Sequence, residues 1–167
     1  MSEQDIAAKN LAALQSNDPI LYRQILAVTD LDQHSGFRYE GVAIARNGSP
    51  VPVYPDGSAS HSLFNPEREA SNLIDTVTET GFAFFAGIGG AFHIRDFLSR
   101  DSSRACIASE ASAESLASLL RLIDLSDIIA DARVTIVVDC ASPASVRALD
   151  SRYLPALHGN FRFIPLR

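Results

Sequence analysis

The stretch of this sequence best equipped for chemistry is Phe84-Phe85-Ala86-Gly87-Ile88-Gly89-Gly90-Ala91-Phe92-His93, where an apolar run passes into glycines that open a helical pattern. In open parallel sheets, ligands sit beyond the carboxyl ends of the strands, and glycines let backbone N–H groups approach them closely. Gly87, Gly89 and Gly90 are therefore candidate ligand-binding residues. A dinucleotide fingerprint needs its third glycine at position 92, which is Phe92, so the spacing excludes that reading. Two acids stand at corresponding places downstream: Glu110 closes a second apolar run and Asp139 a third. Small residues also suit a helix crossing a sheet, and acids at strand ends also cap helices. Packing and capping thus stand beside ligand binding as readings of these five positions.

Other chemistry is sparse. His34, His61, His93 and His158 lack the spacing of a metal-binding helix, and there is no nucleophile elbow, Walker loop or reactive-cysteine context, so no metal ligand and no catalytic residue is assigned. Asp124, Asp127 and Asp131 fall at helical spacing opposite Ile128 and Ile129 and read as a solvated acidic face. Cys106 and Cys140 sit inside apolar runs and read as reduced core thiols, which points to a cytoplasmic protein. With 167 residues, 47% of them hydrophobic, the chain can bury about 70% of its unfolded surface in a single core. Fourteen basic against 20 acidic residues give a net charge of −6, and no basic run offers a footprint for nucleic acid. The start is acidic, with neither signal peptide nor membrane span.

The elements that must position these residues follow from periodicity. Ser2 with Asp5 resembles a capping box opening a helix over 3–16 with Ala7, Leu11 and Leu14 inward, and Asp18-Pro19 starts a second helix through Leu21, Ile25 and Val28. Residues 38–46 and 51–54, joined by Asn47-Gly48-Ser49-Pro50, read as a small hairpin. Asn65-Pro66 begins a helix ended by Gly81, and strands follow at 82–86, 105–108 and 134–138, with helices between them. Ser142-Pro143 starts a last helix with the inward stripe Val146, Leu149, Tyr153 and Leu157, which Pro155 kinks or ends, and 161–166 is a fourth strand. Strands alternating with helices imply parallel pairing through right-handed crossovers. The fold expected is α/β, a Rossmann-like parallel sheet with flanking helices over 61–167, preceded over 1–60 by a helical pair and a β-hairpin.

The glycine turn resembles the nucleoside-binding turn of class I S-adenosylmethionine methyltransferases, with Ala91 where the last glycine of that turn usually stands. The resemblance implies that Glu110 holds ribose hydroxyls and Asp139 meets the adenine, with S-adenosylmethionine as cofactor. In such sheets the catalytic loop follows the fourth strand, after which this sequence has only Arg167, so no transfer machinery is expected here.

A second resemblance runs through more of the chain. His61-Ser62-Leu63-Phe64-Asn65-Pro66-Glu67-Arg68-Glu69-Ala70 resembles a segment of the motility accessory factor family, bacterial glycosyltransferases that modify flagellin. The family's pattern has Asp where Asn65 stands, which keeps a helix cap and removes a charge. The motif residues are His61, Ser62, Asn65, Pro66 and Glu69. The Gly87-x-Gly89 turn with Phe92-His93, Ile107-Ala108-Ser109-Glu110, Asp124 to Ile129 and Arg133-Val134 follow in the family's order, and Asn10 to Leu14 with Pro19 resembles its opening helices, so the likeness covers roughly residues 10–140. The family's glycine-proline-serine signature of the transferase domain is absent. The resemblance implies a non-catalytic N-terminal or accessory domain, with flagellin or a transferase domain as partner and a nonulosonic acid as the sugar transferred by the whole protein. The alternative is the methyltransferase-like nucleoside-binding domain.

Overall fold

A computed structural model describes residues 2–29, 39–77 and 79–166. His34, Arg38 and Arg167 lie outside the described residues. The Ser2 capping box is present in full, with Asp5 N–H bonded to the Ser2 hydroxyl and the Asp5 carboxylate reaching back to the Ser2 N–H, and it opens α1, Glu3–Asn17. The Asp18 side chain accepts from the N–H groups of Ile20 and Leu21 at the start of α2, Pro19–Thr29. Strands β1, Gly41–Ile44, and β2, Pro50–Val53, form an antiparallel hairpin.

The remaining elements alternate. They are α3, Pro66–Asp75; β3, Thr80–Ala86; α4, Phe92–Ser99; β4, Ala105–Glu110; α5, Ala113–Leu122; α6, Ser126–Ala130; β5, Val134–Val138; α7, Pro143–Arg152; α8, Pro155–His158; and β6, Asn160–Pro165. Side chains of Asn65, Ser112 and Ser142 each accept a backbone N–H at the start of α3, α5 and α7, as their sequence positions require. The sheet is parallel in the order β5-β4-β3-β6, a Rossmann-like arrangement in which the chain turns back across β3 to place β6.

Strand alternation divides the core. Ala83, Phe85, Cys106 and Ala108 point to a large cluster shared with Leu14, Leu21 and Ile25 of the first two helices and Leu116, Leu119 and Leu120 of α5. Phe82, Phe84, Ile107 and Val137 point the other way, beneath Ala148, Leu149 and Tyr153 of α7 and its end. Asn10, fully buried, ties α1 to the loop after α5: its amide donates to the carbonyls of Leu120 and Ile123 at 2.8 and 2.7 Å and accepts the Leu125 N–H at 2.8 Å. No helix among the described residues is long and apolar enough to cross a membrane.

Several expectations are corrected. Gly81 does not end a helix: α3 stops at Asp75, and Gly81 lies inside β3, where a Cβ would meet the His158 carbonyl oxygen at 2.3 Å. Val146 and Leu157 face solvent: α7 turns Ser145, Ala148 and Leu149 inward and leaves Val146 outside, and the helical stretch breaks at Tyr153 before α8, which carries Leu157. Cys140 is exposed just beyond β5, and only Cys106 is a core thiol, its pKa pushed up by burial. Of the three aspartates read as one helical face only Asp127 lies within α6, and Asp124, Asp127 and Asp131 pair with Lys9, Arg95 and Arg133 respectively.

Candidate functional site

The glycine turn leaves the carboxyl end of β3 and enters α4. Gly87 and Gly89 adopt φ of +111° and +51°, and Ala91 is left-handed too, at +57°, a conformation that costs a residue with a Cβ roughly 1 kcal/mol. The glycines are needed for closeness as well as for shape. A Cβ on Gly87 would lie 2.6 Å from the Leu166 Cβ, and one on Gly89 would lie 2.6 Å from the His61 Nε2. Leu166 is held there by its N–H, which donates to the Ala86 carbonyl at 2.8 Å. The crevice between β3 and β6, where doubly wound sheets take their ligands, is thus filled by the chain's own Leu166 and His61.

Every backbone N–H from Gly87 to Ala91 has a protein acceptor. Gly87 donates to the Ser109 carbonyl and Ala91 to the Ile88 carbonyl, each at 2.8 Å. Ile88 and Gly89 donate to Glu110 Oε1 at 2.8 and 3.4 Å, and Gly90 donates to His61 Nε2 at 2.9 Å. Glu110, only 2% exposed, also accepts from the Tyr39 hydroxyl at 3.1 Å and the Ser115 hydroxyl at 2.8 Å. Burial beside that carboxylate pushes the Tyr39 phenol far up, which keeps it a donor. Asp139, by contrast, is exposed at φ +59° and accepts the Ala141 N–H. The structure therefore brings Gly87, Gly89, Gly90 and Glu110 into one network and leaves the Asp139 side chain outside it, although the Asp139 N–H donates to the Glu110 carbonyl at 2.8 Å.

The motif residues form the other half of that network. Asn65 caps α3 by accepting the Arg68 N–H at 2.9 Å, Pro66 takes the first helical position, and the Ser62 hydroxyl accepts from Phe64 and Asn65. One turn into the helix, Glu69 Oε2 accepts the Ser62 N–H at 2.9 Å and lies 3.6 Å from His61 Nδ1. Because His61 Nε2 accepts from Gly90, its proton sits on Nδ1, facing Glu69. Burial holds the His61 pKa below its ordinary value, against the pull of Glu69. His93 lies beside it, ring centroids 5.6 Å apart, with Nε2 3.2 Å from the Gly87 carbonyl and its pKa lowered by burial to about 3. His61, Tyr39 and Ser115 were not assigned to the turn from sequence. Tyr39 and Ser115 lie 71 and 5 residues from Glu110 and His61 lies 29 from Gly90, and no local periodicity connects them.

A cavity of about 480 Å³ opens on the outer side of the turn, bordered by Ser49, Glu67, Gly90, Phe92, Arg95 and Asp124 among others. The Arg95 guanidinium is turned to Asp127 and to the carbonyls of Gly90 and Asp124, so it offers no free cation to a phosphate.

This chain is similar in fold to a Maf glycosyltransferase. The structure of the MAf glycosyltransferase from Magnetospirillum magneticum AMB-1 superposes with a TM-score of 0.62 at 12% sequence identity, covering 98% of this chain and 32% of the other. This chain therefore spans about a third of that enzyme's length. No protein-family model and no curated protein matches the sequence. The likeness establishes the fold, and it falls on the α/β architecture that the sequence predicts.

Proposed function

We propose that this chain is a non-catalytic accessory domain of a motility-accessory-type glycosyltransferase, which binds a protein partner or organises the transferase. The observation that carries this reading is the sealed turn. Its N–H groups, which in a nucleoside site face the ligand, are all bonded within the chain, and Glu110 already accepts four donors. His61 and Glu69, the ends of the family-like motif, serve as a strut between α3 and the turn, a role that needs no substrate. Flagellin, or the transferase domain itself, is the partner class implied by the family resemblance.

Calorimetric titration with S-adenosylmethionine, S-adenosylhomocysteine and CMP tests this. No heat is expected, and no thermal shift. A ligand present at about 100 times its Kd raises stability by about 2.7 kcal/mol, which a melt detects independently. Saturable binding of an adenosyl compound that weakens in Glu110→Gln would replace this reading with the methyltransferase-like one.

A further inference from the structure

The free edge of the parallel sheet at β6 combines three features. The first is topological. In doubly wound sheets of order 3-2-1-4-5-6, the strand in the place of β6 has a neighbour on both sides, whereas among the described residues β6 pairs with β3 alone. The second is apolar. Phe163 stacks on the buried Phe84 with ring centroids 5.4 Å apart, yet is 53% exposed, and α8, just before β6, turns Leu154 and Leu157 outward as well.

The third is charge. Arg147 and Arg152 lie on α7, which packs on β5 and β4, where Arg152 donates to the Ala132 carbonyl, so the cation at this edge is Arg162. Arg162, between Phe161 and Phe163, is exposed and makes no ion pair among the described residues.

The backbone sets the register. Leu166 N–H points to β3, so the alternation of a parallel strand turns the N–H groups of Phe161 and Phe163 outward, while Pro165 has none to offer. Two donors are available, and the proline blunts the edge beyond them.

We propose that β6 docks an extended partner segment of alternating apolar and acidic residues, added as one further strand. Its apolar side chains cover Phe163 on one face and its acids meet Arg162 on the other. This deepens the accessory reading and rests on it, giving the protein-binding role a surface.

The test uses a fluorescently labelled peptide of alternating glutamate and valine, with a lysine–valine peptide as control, in anisotropy titrations and amide-exchange NMR. The acidic peptide is expected to bind about tenfold tighter than the basic one, and to slow exchange at Phe161 and Phe163. Arg162→Glu, at an exposed position, is expected to reverse the preference, and Phe163→Asp to abolish binding. Equal affinity for both peptides, no binding of either, or a preference unchanged by Arg162→Glu would overturn the proposal. Self-association lost in Phe163→Asp would overturn it too, by making the occupant a second copy. Failure here with no heat from the nucleosides leaves the accessory reading intact, and nucleoside binding defeats that reading whatever the peptides do.

Discussion

Glu110→Ala separates a carboxylate that holds the turn from one that waits for a ligand. The substitution removes the acceptor for four donors. The Tyr39 and Ser115 hydroxyls can rotate toward other partners, but the N–H groups of Ile88 and Gly89 are fixed by the turn and shut away from water. Each unsatisfied buried donor costs about 1–3 kcal/mol, so with the small void left behind the loss is about 4 kcal/mol. A domain of this kind has roughly 5–15 kcal/mol in total. Glu110→Gln keeps an oxygen for Ile88, Gly89 and Tyr39 and presents its amide to the Ser115 hydroxyl, which can turn to accept. It forfeits only charge assistance, about 1 kcal/mol. In urea denaturation followed by circular dichroism, with a slope of about 2 kcal/mol per molar, the midpoint should fall by about 2 M for the alanine variant and about 0.5 M for the glutamine variant. An alanine variant that melts with the parent would refute the reasoning, because the turn would then stand without the carboxylate.

Three further outcomes follow from the same geometry. Gly87→Ala forces a Cβ into a +111° conformation against Leu166 and should cost about 2–4 kcal/mol; combined with Leu166→Gly it should recover the steric part only, and strictly additive losses in the double-mutant cycle would contradict the contact. His93 has a folded pKa of about 3, below its unfolded value of roughly 6.5, so its contribution is complete above pH 6.5 and is lost as pH falls toward 3. His61 shifts in the same direction. Stability should therefore drop by roughly 1 kcal/mol per pH unit between pH 6 and 4.5, and a His93→Gln variant whose pH profile kept the parent's slope would count against this. Asn10→Ala strands two carbonyls and one N–H, and Asn10→Asp cannot donate to either carbonyl. Both should lower Tm by roughly 10 °C in a thermal melt, and equality with the parent would dissolve the link between α1 and the loop after α5.

Much of the fold was legible because its signals are local. The Ser2 box, Asn65-Pro66 and Ser142-Pro143 start their helices where side-chain chemistry dictates, and the apolar runs at β3, β4 and β5 are short and continuous, as strands of a covered sheet are. Gly81 misled because a glycine demanded by close approach of another backbone reads the same as a glycine that stops a helix. The stripe through Val146 and Leu157 misled because α7 buries Ser145, Ala148 and Leu149 in place of Val146, and a break at Tyr153 puts Leu157 on a separate helix. At the site, the glycines and Glu110 were visible as residue types, but what faces them was not. His61 reaches Gly90 across 29 residues and Tyr39 reaches Glu110 across 71, distances set by topology.

The strand order also shapes how the chain is made. β3 is the inner strand that β6 completes, yet β6 begins at Asn160, some seventy residues after β3 ends at Ala86. At about 5–20 residues per second of synthesis, Phe82 and Phe84 emerge several seconds before Phe161 and Phe163 arrive to pair beside them. During that interval β3 carries an unpaired, aromatic-rich edge next to strands already able to fold, an edge prone to capture by another nascent chain. The order of synthesis thus leaves this edge of β3 uncovered until the residues of β6 emerge.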